Sequence, residues 1–422
     1  MTTREFPPRN ELVEYEYAVA GHAGTLADVD GELFIKPCTE TEIEFYQSAI
    51  AQYPQFTELL PLFMGTLTLS DSTEVTTAAD DIAVINTVVP EAIEKSTAAA
   101  APDSGDGVTW KPNRDKRIKT DQAIVLENLT HGYKKPNILD AKLGVRLWAD
   151  DAPLQKRQRF DTISAETTHS QFGCRIAGMR IYKGSEDPAE LDQQGYKIYD
   201  RDYGRVAVNN GNFIDEIRRF VFNKRAGIDE DLGKAVCKGF AHELRTVEEV
   251  LAAHETRMYS SSILFIFEGD GKALEEAIER NNAIVDELNE DEAEGIDNEF
   301  EATGVKGLST ARYDSGVGMD ASGDEDDPSE REGSRPGDGS AEKGGSNGED
   351  DSGGKDRPDG ENGSVEKDES GDEDSGVFSL PKIFTLKLID CAHAKWVPGD
   401  GPDENTLTGV RSLRRIFEDL SA

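Results

Sequence analysis

The chain has 422 residues, 84 acidic and 46 basic, for a formal net charge of −38. Only 36% of the residues are apolar, which is low for a fully folded chain and places part of it outside any packed core. Such acidity excludes general affinity for nucleic acid or an anionic membrane surface, so an anionic ligand must be met by basic residues gathered locally.

Four cysteines, Cys38, Cys174, Cys237 and Cys391, are scattered without CxxC spacing and read as reduced thiols of an intracellular protein. The start, MTTREFPPRN, lacks an apolar leader, and no apolar run approaches the roughly 18–20 residues of a membrane span. A soluble protein is expected, with nothing to suggest more than a monomer.

In chain order, DGELFIKPC (30–38) reads as a strand carrying Lys36. TETEIEFYQSAI (39–50) reads as a helix with Thr39 as N-cap and Glu42 at the capping-box position. Residues 70–108, rich in Thr, Ala and Asp, read as flexible. QAIVLENLT (122–130) is an apolar strand running into a polar connector at Glu127 and Leu129. PNILDAKLG (136–144) is a short extended segment between a proline and a glycine. Side chains alternate across a strand, so Asp140 and Lys142 share one face. They either form a structural ion pair or present two opposite charges to a cleft.

The basic runs KPNRDKRIK (111–119) and QKRQR (155–159) flank that segment. This local density suits a ligand with several phosphates, although a solvated charged face has the same composition. The following FDTISAETTHSQ is rich in hydroxyls that could orient such a ligand. FGCRIAGMRIY (172–182) patterns as a strand. A helix is expected over 211–227 with Phe213, Ile214, Ile217, Phe220 and Val221 on its apolar face, and another over 240–255. SSSILFIFEG (260–269) reads as an inner strand, apolar on both faces.

From about Ala293 to Ser375 the chain is Gly, Ser, Asp and Glu; residues 320–374 alone hold 21 acidic and 6 basic side chains. Such a segment cannot offset its ordering entropy and reads as a disordered insertion. Pattern returns with FTLKLIDCAH (384–393), a strand ending in Asp390 with His393 close behind, and a closing helix at 405–420. An acid at a buried strand's exit suits Mg²⁺, which prefers few carboxylates plus phosphate and water; a turn aspartate is the plainer alternative.

Lys36 on a strand with Glu42 on the next helix resembles the way kinases hold nucleotide phosphates. No HRDxxxxN loop is present, which argues against a protein kinase. PNILDAKLG fits PxxxDxKxG, the signature of the inositol polyphosphate kinase family. LTHGYKKP, SSILF, IDCAH and the tail GPDENTLTGVRSLRRIF follow in the family's order, so the resemblance runs from about Val19 to the C-terminus. SAETTH and the acidic insertion resemble the fungal multikinase branch. Ser261-Ser262-Ile263-Leu264 stands where the family has SSLL, and Cys391 where an aromatic usually follows the metal aspartate.

The resemblance implies an α+β fold in two lobes. These are an N-lobe over 1–126 with its flexible insert, a C-lobe over 127–292 resumed at 376–422, and the acidic insertion over 293–375 between the two C-lobe parts. It implies ATP and Mg²⁺, with Lys36 on the nucleotide phosphates and Glu42 orienting it. Glu127 and Leu129 would meet adenine through their backbones, and Asp390 the metal. Asp140 would meet the acceptor hydroxyl, Lys142 the moving phosphoryl, and His393 the inositol pocket. Lys156 and Arg159 are added as substrate-phosphate ligands from the QKRQR run. The implied reaction takes inositol trisphosphate to the tetrakis- and pentakisphosphate, in nucleus and cytoplasm. A second function, stabilising transcription factors through the acidic insertion, stands beside it.

Overall fold

A computed structural model describes residues 11–19, 24–68, 120–294 and 382–422. The segments expected to be flexible, 70–108 and most of 293–375, lie outside the described residues, as does the whole basic run 111–119.

The first sheet is built from β1 (Leu12–Glu14), β2 (Leu26–Asp28) and β3 (Leu33–Pro37). The chain then forms α1 (Glu40–Gln52) and the single turn α2 (Pro54–Thr57) before β4 (Phe63–Thr68) and β5 (Gln122–Glu127) complete the sheet. All pairings are antiparallel, in the order β1-β2-β3-β5-β4. Thr39 stands at the N-cap of α1, yet its hydroxyl makes no cap hydrogen bond and the expected capping box does not form. Glu42 points instead toward Lys36, a charged donor that outcompetes a backbone N–H.

The second sheet begins with β6 (Pro136–Leu143), followed by α3 (Leu154–Glu166), the turn α4 (His169–Phe172), β7 (Cys174–Tyr182) and β8 (Tyr196–Tyr199). Next come α5 (Phe213–Val221), α6 (Glu230–Ala253), β9 (Thr256–Met258), β10 (Ser262–Glu268), α7 (Gly271–Glu294), β11 (Phe384–Ile389), β12 (Ala394–Trp396) and α8 (Glu404–Ser421). The strands lie in the antiparallel order β11-β10-β6-β7-β8, and β12 pairs with β9 apart. β6 is therefore central, with Asp140 opposite Leu264 and Lys142 opposite Ser262 on β10.

One face of the second sheet sends Leu139, Ala141 and Leu143 into the main core; Ile138 belongs to the opposite face with Asp140. Beneath it, Phe240 of α6, Phe265 of β10 and Phe417 of α8 interlock with centroids 5.1–5.2 Å apart.

α5 is shorter than expected and Ile214 is 46% exposed, because Phe213, Ile217, Phe220 and Val221 already complete its buried stripe. α6 starts ten residues earlier than expected, capped by Asp229 accepting from the Leu232 N–H at 3.0 Å. Gly233 and Gly239, which obscure that first half in the sequence, are where Phe222 and Phe384 press onto the helix.

The two sheets are joined along β11, whose Leu388 N–H donates to the Leu59 carbonyl at 2.8 Å. Trp396 of β12 stacks on Tyr53 with centroids 3.8 Å apart. The fold is the two-lobed α+β arrangement expected, with a cleft between the sheets. Among the described residues no helix is long and apolar enough to cross a membrane.

Candidate active site

Alternation along β3 turns Phe34 and Lys36 into the cleft while Leu33 and Ile35 are buried behind them. The Lys36 Nζ donates to Glu42 Oε1 at 2.9 Å and to Asp390 Oδ1 at 2.7 Å. Burial alone would depress the ammonium, but Asp390 and Glu42 overcome it and hold Lys36 above its ordinary value. Burial raises Glu42, against the pull of Lys36. Asp390 follows β11 with φ 61° and ψ 57°, left-handed backbone that a non-glycine residue rarely adopts. Strain of this kind concentrates where a side chain must be aimed.

Behind this triad lies a slot walled by Val19, Phe34, Leu126, Ile138, Leu264 and Ile389. Glu127 and Leu129 line its rim. The Asn128 N–H is bonded to the Glu32 carbonyl at 2.7 Å, so the peptide groups of Glu127 turn the other way, toward Leu62. An apolar slot with a few polar groups at its rim is the general form of a small-molecule site.

Asp140 sits at the floor of the cleft, 4% exposed, with Oδ1 unpartnered. Burial pushes its carboxyl up to about 6, against the opposing charge of Lys142 and with added repulsion from Asp390. Lys142 does not pair with Asp140: its ammonium donates to the Ser260 carbonyl at 2.6 Å. The two charges therefore stand separately on one face, as the cleft alternative requires. Gly144, which closes this segment, has φ +89°, and a Cβ there would lie 2.4 Å from Asn405 Nδ2. Asn405 in turn accepts from the Val145 and Arg146 N–H groups at 2.8 Å and anchors the strand exit to α8.

Beyond Asp140 the cleft becomes positive. Lys156 and Arg159 lie on α3, and His393 is exposed on the turn after Asp390. Partial desolvation of its ring lowers the imidazole, reinforced by Lys156 and then Lys142 and opposed by Asp151. That coupling puts Lys142, Lys156 and His393 in one neighbourhood.

Arg175, at the start of β7, is 2% exposed with Nε unpartnered, and burial and Arg205 hold it down at about 10. Arg205, on a π-helical turn at Tyr203–Ala207, is lowered by burial and then by Arg201, with Arg159 adding. His169 is fully buried with both ring nitrogens unpartnered; burial, Arg175 and Lys142 hold it at about 3, hence neutral. Sequence reading missed Arg175, Arg201 and Arg205. An arginine inside the apolar pattern CRIAGM was the available signal.

The hydroxyls of SAETTH do not serve as expected. Thr167 and Thr168 donate to the Ile163 and Cys174 carbonyls at 2.7 Å, spending their hydroxyls on local backbone.

The cleft thus has an acidic end, where one ammonium faces two carboxylates, and a basic end rich in guanidinium groups. The inositol polyphosphate kinase family profile matches residues 123–418. The chain belongs to the inositol polyphosphate kinase family. It is a phosphotransferase acting on inositol polyphosphates. It is 33% identical over 278 residues to the Saccharomyces cerevisiae inositol polyphosphate multikinase, covering 60% of this chain and 72% of that protein. It is 31% identical over 260 residues to the Schizosaccharomyces pombe inositol polyphosphate multikinase, covering 61% and 80%. The crystal structure of the S. cerevisiae inositol phosphate multikinase in complex with ADP and Mn²⁺ superposes with a TM-score of 0.51 at 23% identity, over 92% of this chain and 99% of that one. At that identity the likeness shows a common fold.

The acidic end fits a hard divalent cation. Asp390 is partly exposed beside Lys36, and Glu42 Oε2 and Asp140 Oδ1 are buried without partners. Among the described residues no group of three or more His, Cys, Asp or Glu forms a closed metal cage, so phosphate and water oxygens would complete the shell.

Proposed function

We propose that this kinase binds ATP with Mg²⁺ in the cleft and transfers the γ-phosphoryl group to soluble inositol phosphates, from the trisphosphate to the tetrakis- and pentakisphosphate. The observation that carries this reading is the polarity of one cleft: Lys36 bridging Glu42 and Asp390 at one end, four arginines coupled at the other, and Asp140 between them. The multikinase names of the two yeast relatives and the ADP and Mn²⁺ bound by the solved relative support it.

In this reading Lys36, oriented by Glu42, holds the nucleotide phosphates, while the backbones of Glu127 and Leu129 meet the adenine edge. Asp390 would hold Mg²⁺, which would supply neutralisation of phosphate charge. Asp140 aligns the acceptor hydroxyl and accepts its proton. Lys142, released from the Ser260 carbonyl, stabilises charge on the moving phosphoryl group. Lys156, Arg159 and His393, joined by Arg175, Arg201 and Arg205, grip the other phosphates. Phosphoryl transfer requires alignment and charge neutralisation above all, and both Asp140 and Lys142 are fixed by one rigid central strand.

Residence in nucleus and cytoplasm is part of the same proposal and is tested by fractionating cells that express the tagged chain. The decisive experiment incubates purified protein with ATP, Mg²⁺ and a panel of inositol phosphates, with products resolved by isomer. Successive conversion of a trisphosphate is expected. Turnover confined to inositol hexakisphosphate would overturn the assigned substrate.

A further inference from the structure

The helix α3, which carries Lys156 and Arg159, has no buried apolar face: Ser164 is the only buried residue along Leu154–Glu166. Most surface helices are set by an apolar stripe against the core. This one needs another constraint if its basic side chains are to hold a ligand to a fraction of an ångström.

The constraint is a stack centred on Trp148, in the loop that leaves β6 six residues after Lys142. The Arg146 guanidinium lies 3.9 Å from the Trp148 ring and 4.6 Å from Tyr259, beside β10. The Arg157 guanidinium, from α3, lies 4.8 Å from the same Trp148 ring. The Trp148 Nε1–H donates to Asp161 Oδ1, one turn further along α3, at 2.6 Å. Arg157 also donates through Nε to the Ala152 carbonyl at 2.6 Å and through its terminal nitrogen to the Asp150 carbonyl. Asp150 binds Arg146 and accepts from Lys395 at 3.0 Å, two residues beyond His393. The indole therefore touches the catalytic-strand exit and α3 directly, and reaches the turn after Asp390 through Asp150.

We propose that Trp148 is a positioning residue for the acceptor: it sets the pose of α3 and, through Lys156 and Arg159, which inositol hydroxyl faces Asp140. The inference rests on the reading that α3 meets the substrate's phosphates. Trp148 is absent from the nucleotide slot, so ATP binding is independent of it. Cation–π contacts with two guanidiniums and one charge-assisted hydrogen bond are lost together when the ring is removed.

The test uses the full chain with ATP, Mg²⁺ and inositol trisphosphate as probe. W148A is expected to raise KM for the inositol phosphate at least tenfold, leave KM for ATP within twofold, and change the ratio of product isomers. W148F keeps the stack and loses the N–H, so a smaller shift in the same direction is expected. R157K, which keeps the charge but not the flat face, covers the case in which W148A does not fold. A lowered melting temperature with unchanged acceptor KM and isomer ratio in these variants would overturn the inference. K156A and R159A separate the two levels. If they raise acceptor KM while the Trp148 variants do not, the positioning role falls alone; if they too leave it unchanged, the substrate reading of α3 falls with it.

Discussion

Lys36 of the first sheet and Asp390 of the second meet at 2.7 Å, so one ion pair spans the cleft that separates the two sheets. Glu42 accepts a second hydrogen bond from the same ammonium at 2.9 Å. K36M removes the ammonium that Glu42 and Asp390 share and leaves the two carboxylates without its positive charge in a site of low dielectric. The expected result is a fall in kcat/KM of roughly 10²–10³-fold with weakened nucleotide binding. Steady-state kinetics with ATP titration checks it; a variant with near-parental kcat/KM would show that Lys36 is structural only.

Asp140 gives a pH signature of defined sign. Its folded value of about 6 lies above the ordinary 3.8, so the folded chain binds this proton more tightly than the unfolded one. Its favourable contribution is complete below 3.8 and is lost as pH rises through 6. D140N, which cannot ionise, should therefore gain stability over the parent between pH 4 and 6 and hold a plateau of about 3 kcal/mol above it. Urea melts at intervals from pH 4 to 7.5 measure the difference, and a pH-independent offset contradicts it. The parent's kcat/KM should drop below about pH 6 as the base becomes protonated, and D140N should be inactive throughout.

The elements with strong periodicity were legible in the sequence. β5, β6, β10, β11 and α8 lie within a few residues of their expected spans. Punctuation by Pro136 and Gly144 and a run of apolar residues on both faces determine a central strand whatever surrounds it. The alignment of Asp140 with Lys142 followed from strand parity alone. What was not legible depends on contacts distant in sequence. Glu42 reads locally as a capping residue and is drawn away by Lys36. The first half of α6 is hidden by two glycines whose purpose is to admit Phe222 and Phe384. Arg175 looks like one more charge at a strand start, and its burial becomes visible only once Arg205 and Asp140 are placed around it. Trp148 carried no local signal at all, since its partners on α3 are recognised only after the loop folds back.

Trp396 joins the strand after Asp390 to the helix that bears Glu42. Its ring stacks on Tyr53 at 3.8 Å and on Phe45 at 5.0 Å, and its Nε1–H donates to Ser48 Oγ at 2.9 Å. W396A should destabilise the chain by about 3 kcal/mol, as for other large aromatics removed from a packed site. W396F keeps most of the stacking and should cost about 1 kcal/mol for the lost hydrogen bond. Denaturant melts of the two variants give the comparison; equal losses would assign the whole effect to the hydrogen bond rather than the ring.

The acidic insertion should act on catalysis only through its field. Residues 320–374 carry a net charge of −15 and belong to neither α7 nor β11, the elements on either side. A segment of that charge repels an anionic inositol phosphate wherever the two come within roughly a Debye length, about 10 Å at 0.1 M salt. Replacing the segment with a short Gly-Ser linker should raise kcat/KM for the anionic acceptor by about two- to tenfold at low ionic strength. The difference should vanish near 0.5 M salt, while kcat stays within twofold at every salt concentration. A variant that loses kcat would show that the insertion contributes to the active site itself. A pull-down with the same variant tests the proposal that the insertion also holds transcription factors: lost association alongside intact kcat would support it, and unchanged association would overturn it.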